Sequence, residues 1–194
     1  MDTTSSDLTQ AQLLALAVDA ARRGDDADSV ARLRAAATRD DASAEVFFLL
    51  GSQLAQAGAM DEALRHMARA IELAPRYAIA RFQLGLLLLT QGLPQEALGV
   101  WVPLASLPAD DPLRSFRLGL EHLIKDEFAD AVACLRRGIA LNAQFPALNE
   151  DMSLLIDRIH GLPATTATEG ASSADEGSAS HLFLSAYRSA PTEV

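Results

Sequence analysis

The sequence predicts an all-α fold of stacked helical hairpins, and three observations predict it. Gly51, Gly85 and Gly119 stand 34 residues apart, and so do Gly24, Gly58 and Gly92, with Asp126 one period further on. Phe48, Phe82 and Phe116 form a ladder of the same spacing, as do Ala63, Ala97 and Ala131. Within a period the apolar residues fall at helical spacing. A period of this size marks a repeat architecture, in which each unit is one supersecondary element that buries its apolar face only against its neighbours.

The units start near Gln10, Ala44, Ala78 and Pro112, which gives repeats 10–43, 44–77, 78–111 and 112–145. Ahead of the first helix, Ser6 or Asp7 followed by Gln10 reads as a capping box, with Asp7 and Gln10 in the three-residue relation. The second unit shows the hairpin best. AEVFFLLGSQLAQAG ends at Gly58, a natural helix stop, and MDEALRHMARAIELAP opens with Asp61 as candidate N-cap and stops at Pro75. Small Gly51 and Ala63 let the two helices approach, and Phe47, Leu50 and Leu54 fill the seam with Met67. After the fourth unit, residues 146–160 (PALNEDMSLLIDRIH) read as one more amphipathic helix. Met152, Leu155, Ile156 and Ile159 on one of its faces would cover the last open seam. The repeat domain is therefore expected over 1–160. Residues 161–180 have the Gly, Ala, Ser and Thr composition of a flexible linker. A tail at 181–194 then brings Leu182, Phe183, Leu184 and Tyr187 abruptly together.

These residues resemble the tetratricopeptide repeat (TPR). The unit from Ala44 matches its pattern with Phe47, Leu50, Gly51, Leu54, Ala63, Met67, Ala70 and Pro75. The unit from Ala78 matches with Leu84, Gly85, Leu88, Ala97 and Trp101, and departs at Arg81 and Ala109. The unit from Pro112 keeps Leu118, Gly119, Ala131 and Leu135 but carries Ser115, His122 and Ala143 at signature positions. The unit from Gln10 keeps Leu13, Leu16, Ala17, Ala20, Gly24, Leu33 and Ala36. The resemblance implies a right-handed superhelix of about four helix-turn-helix repeats plus a C-terminal capping helix.

It also implies that the first helix of each unit lines a concave face. The residues one step from the packing seam there are Leu14, Val18, Phe48, Ser52, Phe82, Leu86, Leu89, Phe116, Leu120 and Leu123. These ten are the candidate peptide-binding residues. None is the Lys, Asn or Arg with which better-known members of the family hold a carboxylate terminus, so a carboxylate clamp is not expected. The stretch AIARFQLGLLLLTQG gives the same message from its own chemistry. A helix apolar nearly all round needs cover on both sides, and an apolar patch left open marks a binding site.

Composition bounds the partners. The 194 residues carry 26 acidic and 16 basic side chains, a net charge of −10, which repels nucleic acid and anionic membrane alike. No apolar run reaches membrane-spanning length, and MDTTSSDLTQ lacks the basic and apolar blocks of a secretory signal. A single cysteine, Cys134, forms no internal disulfide and no thiolate-rich zinc site. An Ala-rich, Arg-rich chain with Lys125 as its only lysine fits a bacterial, cytoplasmic protein.

Catalytic chemistry is not indicated. His66, His122, His160 and His181 fall far apart with no HExxH or HxxxH spacing. Cys134 lies mid-helix between apolar neighbours, and the acidic pairs Asp25-Asp26, Asp40-Asp41 and Asp110-Asp111 sit at helix junctions, where they cap helices. The expectation is a non-enzymatic adaptor or chaperone-like protein, without metal or cofactor, that captures an apolar peptide or helix. In size, charge and apolar groove it is similar to the small TPR chaperones of type III secretion. Its own tail is one candidate ligand. About 25 Å of typical linker span reaches back across the repeats. Burying each large tail side chain contributes about 1.5–3 kcal/mol, against an ordering cost of about 1–2 kcal/mol per residue, so docking is weak and reversible. The alternative is self-assembly, with the tail of one subunit inserted into the next.

Overall fold

The computed structural model describes residues 8–162, and its backbone carries the 34-residue period as four identical turns. Gly24, Gly58 and Gly92 adopt φ of 75°, 78° and 75°, and Asp126 takes the same left-handed conformation at φ 58°. At each turn the next residue donates its N–H five residues back: Asp25 to Ala20, Ala59 to Leu54, Leu93 to Leu88 and Glu127 to His122, at 2.8–3.0 Å. This is the Schellman arrangement, which satisfies carbonyls orphaned at a helix end and needs one left-handed residue.

Between and around these turns run nine helices and, among the described residues, no strand. They are α1 (Gln10–Arg22), α2 (Asp26–Ala37), α3 (Ala44–Gln56), α4 (Met60–Leu73), α5 (Ala78–Thr90), α6 (Pro94–Trp101), α7 (Pro112–Ile124), α8 (Phe128–Leu141) and α9 (Pro146–His160). The first helices of the hairpins, α1, α3, α5 and α7, start at the four residues where the period places a unit. The chain divides inside α5 into two compact units, Met1–Leu84 and Gly85–Val194.

In the first unit α1 pairs with α2 and α3 with α4. Thr9, not Ser6 or Asp7, caps α1. Its hydroxyl accepts from the Gln12 N–H at 3.3 Å, and its own N–H donates to Gln12 Oε1 at 2.8 Å, so the capping box stands two residues further along than expected. Asp25 caps α2 by accepting from Asp28 N–H at 3.1 Å. Asp61 is not an N-cap: α4 starts at Met60 after Ala59, and Asp61 lies in the first turn, where its charge complements the helix dipole. The N-cap position after the left-handed turn, which Asp25 fills ahead of α2, is here Ala59, whose methyl group accepts no hydrogen bond. Leu13, Ala36 and Val46 form a core cluster, and Leu50, Leu54 and Met67 fill the α3–α4 seam over Gly51.

In the second unit a Cβ on Gly85 or Gly119 would strike the Trp101 indole or the Leu135 side chain respectively. These glycines are where the partner helix comes closest. The second helix of the third hairpin is cut short. α6 ends at Trp101 and continues as a 3-10 segment, Val102–Ser106, because Pro103 has no N–H to donate and its ring crowds the carbonyl four residues back. Asp111 caps α7 by accepting from Leu113 N–H at 2.8 Å. Where the family's pattern has a closing proline, this chain has Ala143 and uses a side-chain clip instead. Asn142 Nδ2 donates to the Phe145 carbonyl at 2.7 Å and to Asn149 Oδ1 at 2.8 Å, while Asn149 Nδ2 donates back to the Asn142 carbonyl at 3.0 Å. The clip holds α9 on α8, with Leu148, Met152, Leu155, Ile156 and Ile159 buried. The linker at 163–180 and the tail at 181–194 lie outside the described residues.

Candidate protein-binding faces

The ten candidate residues occupy the fifth, ninth and twelfth positions of their units, and the structure places them in two different environments. On the first unit Leu14, Val18, Phe48 and Ser52 are half-buried. Phe48 packs edge-on against Tyr77 at 5.3 Å between ring centres, and Ser52 Oγ donates to the Phe48 carbonyl at 2.9 Å. Burial pushes the Tyr77 hydroxyl above its ordinary pKa, with Glu45 adding to the shift. Beside them a cleft of about 380 Å³ opens between α1, α2 and α3, lined by Val18, Leu33 and Leu49, with Arg22 and Asp26 also on its walls. Gln53 lines it too, and its Oε1 is buried with no hydrogen-bond partner. Of the ten candidates only Val18 reaches this cleft. Leu49 and Gln53 lie on the neighbouring stripe of α3, which a one-face reading of the helix passes over.

Phe82 is fully buried, and on the second unit Leu86, Leu89, Phe116, Leu120 and Leu123 are buried as well. Two of the three phenylalanines expected as open rungs are thus closed off from water. For Phe116 one cause is visible. Its ring lies on Gly138 in the α7–α8 seam, where an alanine would leave no room, so Phe116 is a seam residue of its own hairpin. The buried, small Ser115 beside it leaves the seam to that ring. On the next stripe of α7, Arg117 and Glu121 form a largely buried ion pair at 2.6 Å.

The histidines do not converge. His66 stacks on Phe47 at 5.9 Å, and His122 Nδ1 lies 2.6 Å from Glu127 Oε2 within its own turn. Burial, and secondarily Asp130, pushes the Cys134 thiol up, which makes it a poor nucleophile; Arg137 opposes weakly. Among the described residues no group of His, Cys, Asp and Glu is arranged to hold a metal, and no helix is long and apolar enough to cross a membrane.

No protein-family model matches the chain, and no curated protein does. Solved structures do. A crystal structure of MamA aligns at TM-score 0.58 and 24% identity, over 69% of this chain and 78% of that one. A MamA structure described as "41-end", from Desulfovibrio magneticus RS-1, aligns at 0.57 and 15% over 82% of this chain and 97% of that one. A "MamA RS-1 ArsTM double mutant" aligns at 0.57 and 16% over 95% and 97%. MamA is a TPR-fold protein. The chain therefore has the TPR-type helical repeat fold, and a likeness at these identities speaks to fold alone.

Proposed function

We propose that the chain is a non-catalytic protein-interaction module, an adaptor or chaperone-like protein of the bacterial cytoplasm, that captures an apolar peptide or helix on the faces of its first helices. One observation carries the reading. On α1 and α3 the stripe Leu14, Val18 and Phe48 remains partly exposed beside a cleft whose volume falls in the range of ligand pockets. An apolar side chain inserted there meets Val18, Leu33 and Leu49, and a donor beside it could satisfy Gln53 Oε1 after a small side-chain rotation. The charge of −10 keeps such a complex soluble and disfavours nucleic acid and anionic membrane as partners.

The test is a displayed library of amphipathic peptides selected on the full chain, followed by fluorescence anisotropy with the winners. Val18→Glu removes an apolar contact of about 1.5–3 kcal/mol and should weaken binding by roughly tenfold or more. Val102→Glu, at a position 65% exposed in the other unit, should leave it unchanged. Equal binding to both variants, or no enrichment over scrambled peptides, contradicts the reading. If the selected sequences match residues 181–194, capture becomes self-assembly, and the mass in solution should rise with concentration.

A further inference from the structure

The cleft between α1, α2 and α3 runs from a neutral floor to a charged rim. Ala17, Ser29 and Leu33, at most 2% exposed, form the floor. Val18, Leu49 and Gln53 are half-buried walls, and the exposed Arg22 and Asp26 stand at the rim. Gln53 Oε1 is buried there without a hydrogen-bond partner. The repeat supplies the comparison. Gln53 is the tenth residue of its unit, and the tenth residues of the other three are Asp19, Leu87 and Glu121. Asp19 pairs with Arg23, four residues on, and Glu121 pairs with Arg117, four residues back. Leu87 is buried and apolar. Beside Gln53 the corresponding places hold Ala57 and Leu49, whose side chains carry no donor. The tenth position is thus paired or apolar in three units, and in the second it brings an unpaired acceptor to the wall of a cleft. Leaving a buried acceptor unmade costs more than a typical hydrogen bond contributes, so a ligand that brings a donor gains over one that does not.

We propose that this cleft is a subsite for a tryptophan side chain of the captured segment, which donates its indole N–H to Gln53 Oε1. The inference rests on the reading above, that an apolar segment binds here, and names the side chain that anchors it. An indole is a donor only, and it carries its N–H on the edge of a large apolar ring. The ring covers Leu33 and Val18, and a small rotation of Gln53 turns Oε1 to the N–H. A cleft of about 380 Å³ admits such a bicyclic ring. Leucine or phenylalanine fills the same space and leaves Gln53 Oε1 buried without a donor. A guanidinium or ammonium brings donors but loses its hydration where floor and walls hold no carboxylate. The only charges lining the cleft are Arg22 and Asp26, of opposite sign and both at the rim. Tryptophan matches apolar floor and lone acceptor together, and selection for it over phenylalanine is the specificity that Gln53 confers.

The experiment titrates the full chain with N-acetyltryptophanamide and with its benzothienylalanine analogue, in which sulfur replaces the N–H of an otherwise like-shaped ring. Side-chain chemical shifts of Val18, Leu33 and Gln53 are read. Saturable shifts at all three are expected with the indole, and the analogue should bind about tenfold more weakly. In Gln53→Leu the two compounds should bind alike. Equal affinity of the two for the wild type, a gap that survives in Gln53→Leu, or no shifts in the cleft overturns the proposal. The pair of compounds decides on the wild type alone, so the test stands even if the variant does not fold. Peptide selection is scored separately: peptides that bind around Val18 with no tryptophan remove only this subsite, whereas discrimination between the two compounds with no peptide enriched removes only the earlier reading.

Discussion

Single residues show how tightly the hairpins close. At Gly85 an added methyl meets the Trp101 indole, a large side chain with no exposed surface, so Gly85→Ala should destabilise the protein by about 1–3 kcal/mol. Gly99→Ala is the control. Nothing stands within 4 Å of its Cβ position in α6, and exchanging a mid-helix glycine for alanine should stabilise by about 0.5–1 kcal/mol. Urea denaturation of the two variants should move the midpoint in opposite directions. His66 sets a pH dependence. Burial lowers its pKa below the ordinary 6.5, Arg34 and Arg65 push the same way, and Glu62 opposes. The unfolded chain therefore takes up the proton first on acidification. The stability tied to the neutral ring is full above about pH 6.5 and is lost as pH falls through the lower folded value. The midpoint should drop across that window in the wild type and not in His66→Gln. Glycine spacing was legible in the sequence because both roles, the left-handed turn and the close approach, exclude almost every other side chain. Phe116 was not: its ladder position points to a face, but Gly138, one turn beyond the obvious seam, makes room for it in the hairpin.

At the scale of elements, the first helices begin where the period predicts, because each follows a junction bounded by the same turn and the same seam. Departures come from local chemistry that overrides the phase. Pro103 ends α6 early and converts the rest of that helix to 3-10, although the repeat pattern alone calls for a full second helix. The α8–α9 junction dispenses with the closing proline because Asn142 and Asn149 exchange hydrogen bonds across it. Nothing in the spacing of two asparagines announces such a clip, and only the missing proline at Ala143 could have drawn attention to it. Asn142→Ala takes the acceptor from the part-buried Phe145 N–H and the donor from Asn149 Oδ1, and should cost about 1–3 kcal/mol. Exchange of α9 amides should quicken before the other helices open, and uniform behaviour along the chain would show that α9 does not depend on the clip.

At the scale of the molecule, the sequence identified the helical repeat fold from four ladders of identical spacing. It did not distinguish one stripe from the next, because accessibility depends on what covers a helix, and cover is a property of the whole chain. Leu14, Val18, Phe48 and Ser52 stay partly exposed, whereas Leu86, Leu89, Leu120 and Leu123 are buried. The proposed binding place for an apolar segment is the partly exposed stripe on α1 and α3. Amide chemical-shift mapping of the full chain against a selected amphipathic peptide tests it most directly. Saturable shifts concentrated on α1 and α3 around Val18, Leu49 and Gln53 are expected. Shifts that spare those helices while the peptide binds elsewhere would contradict it.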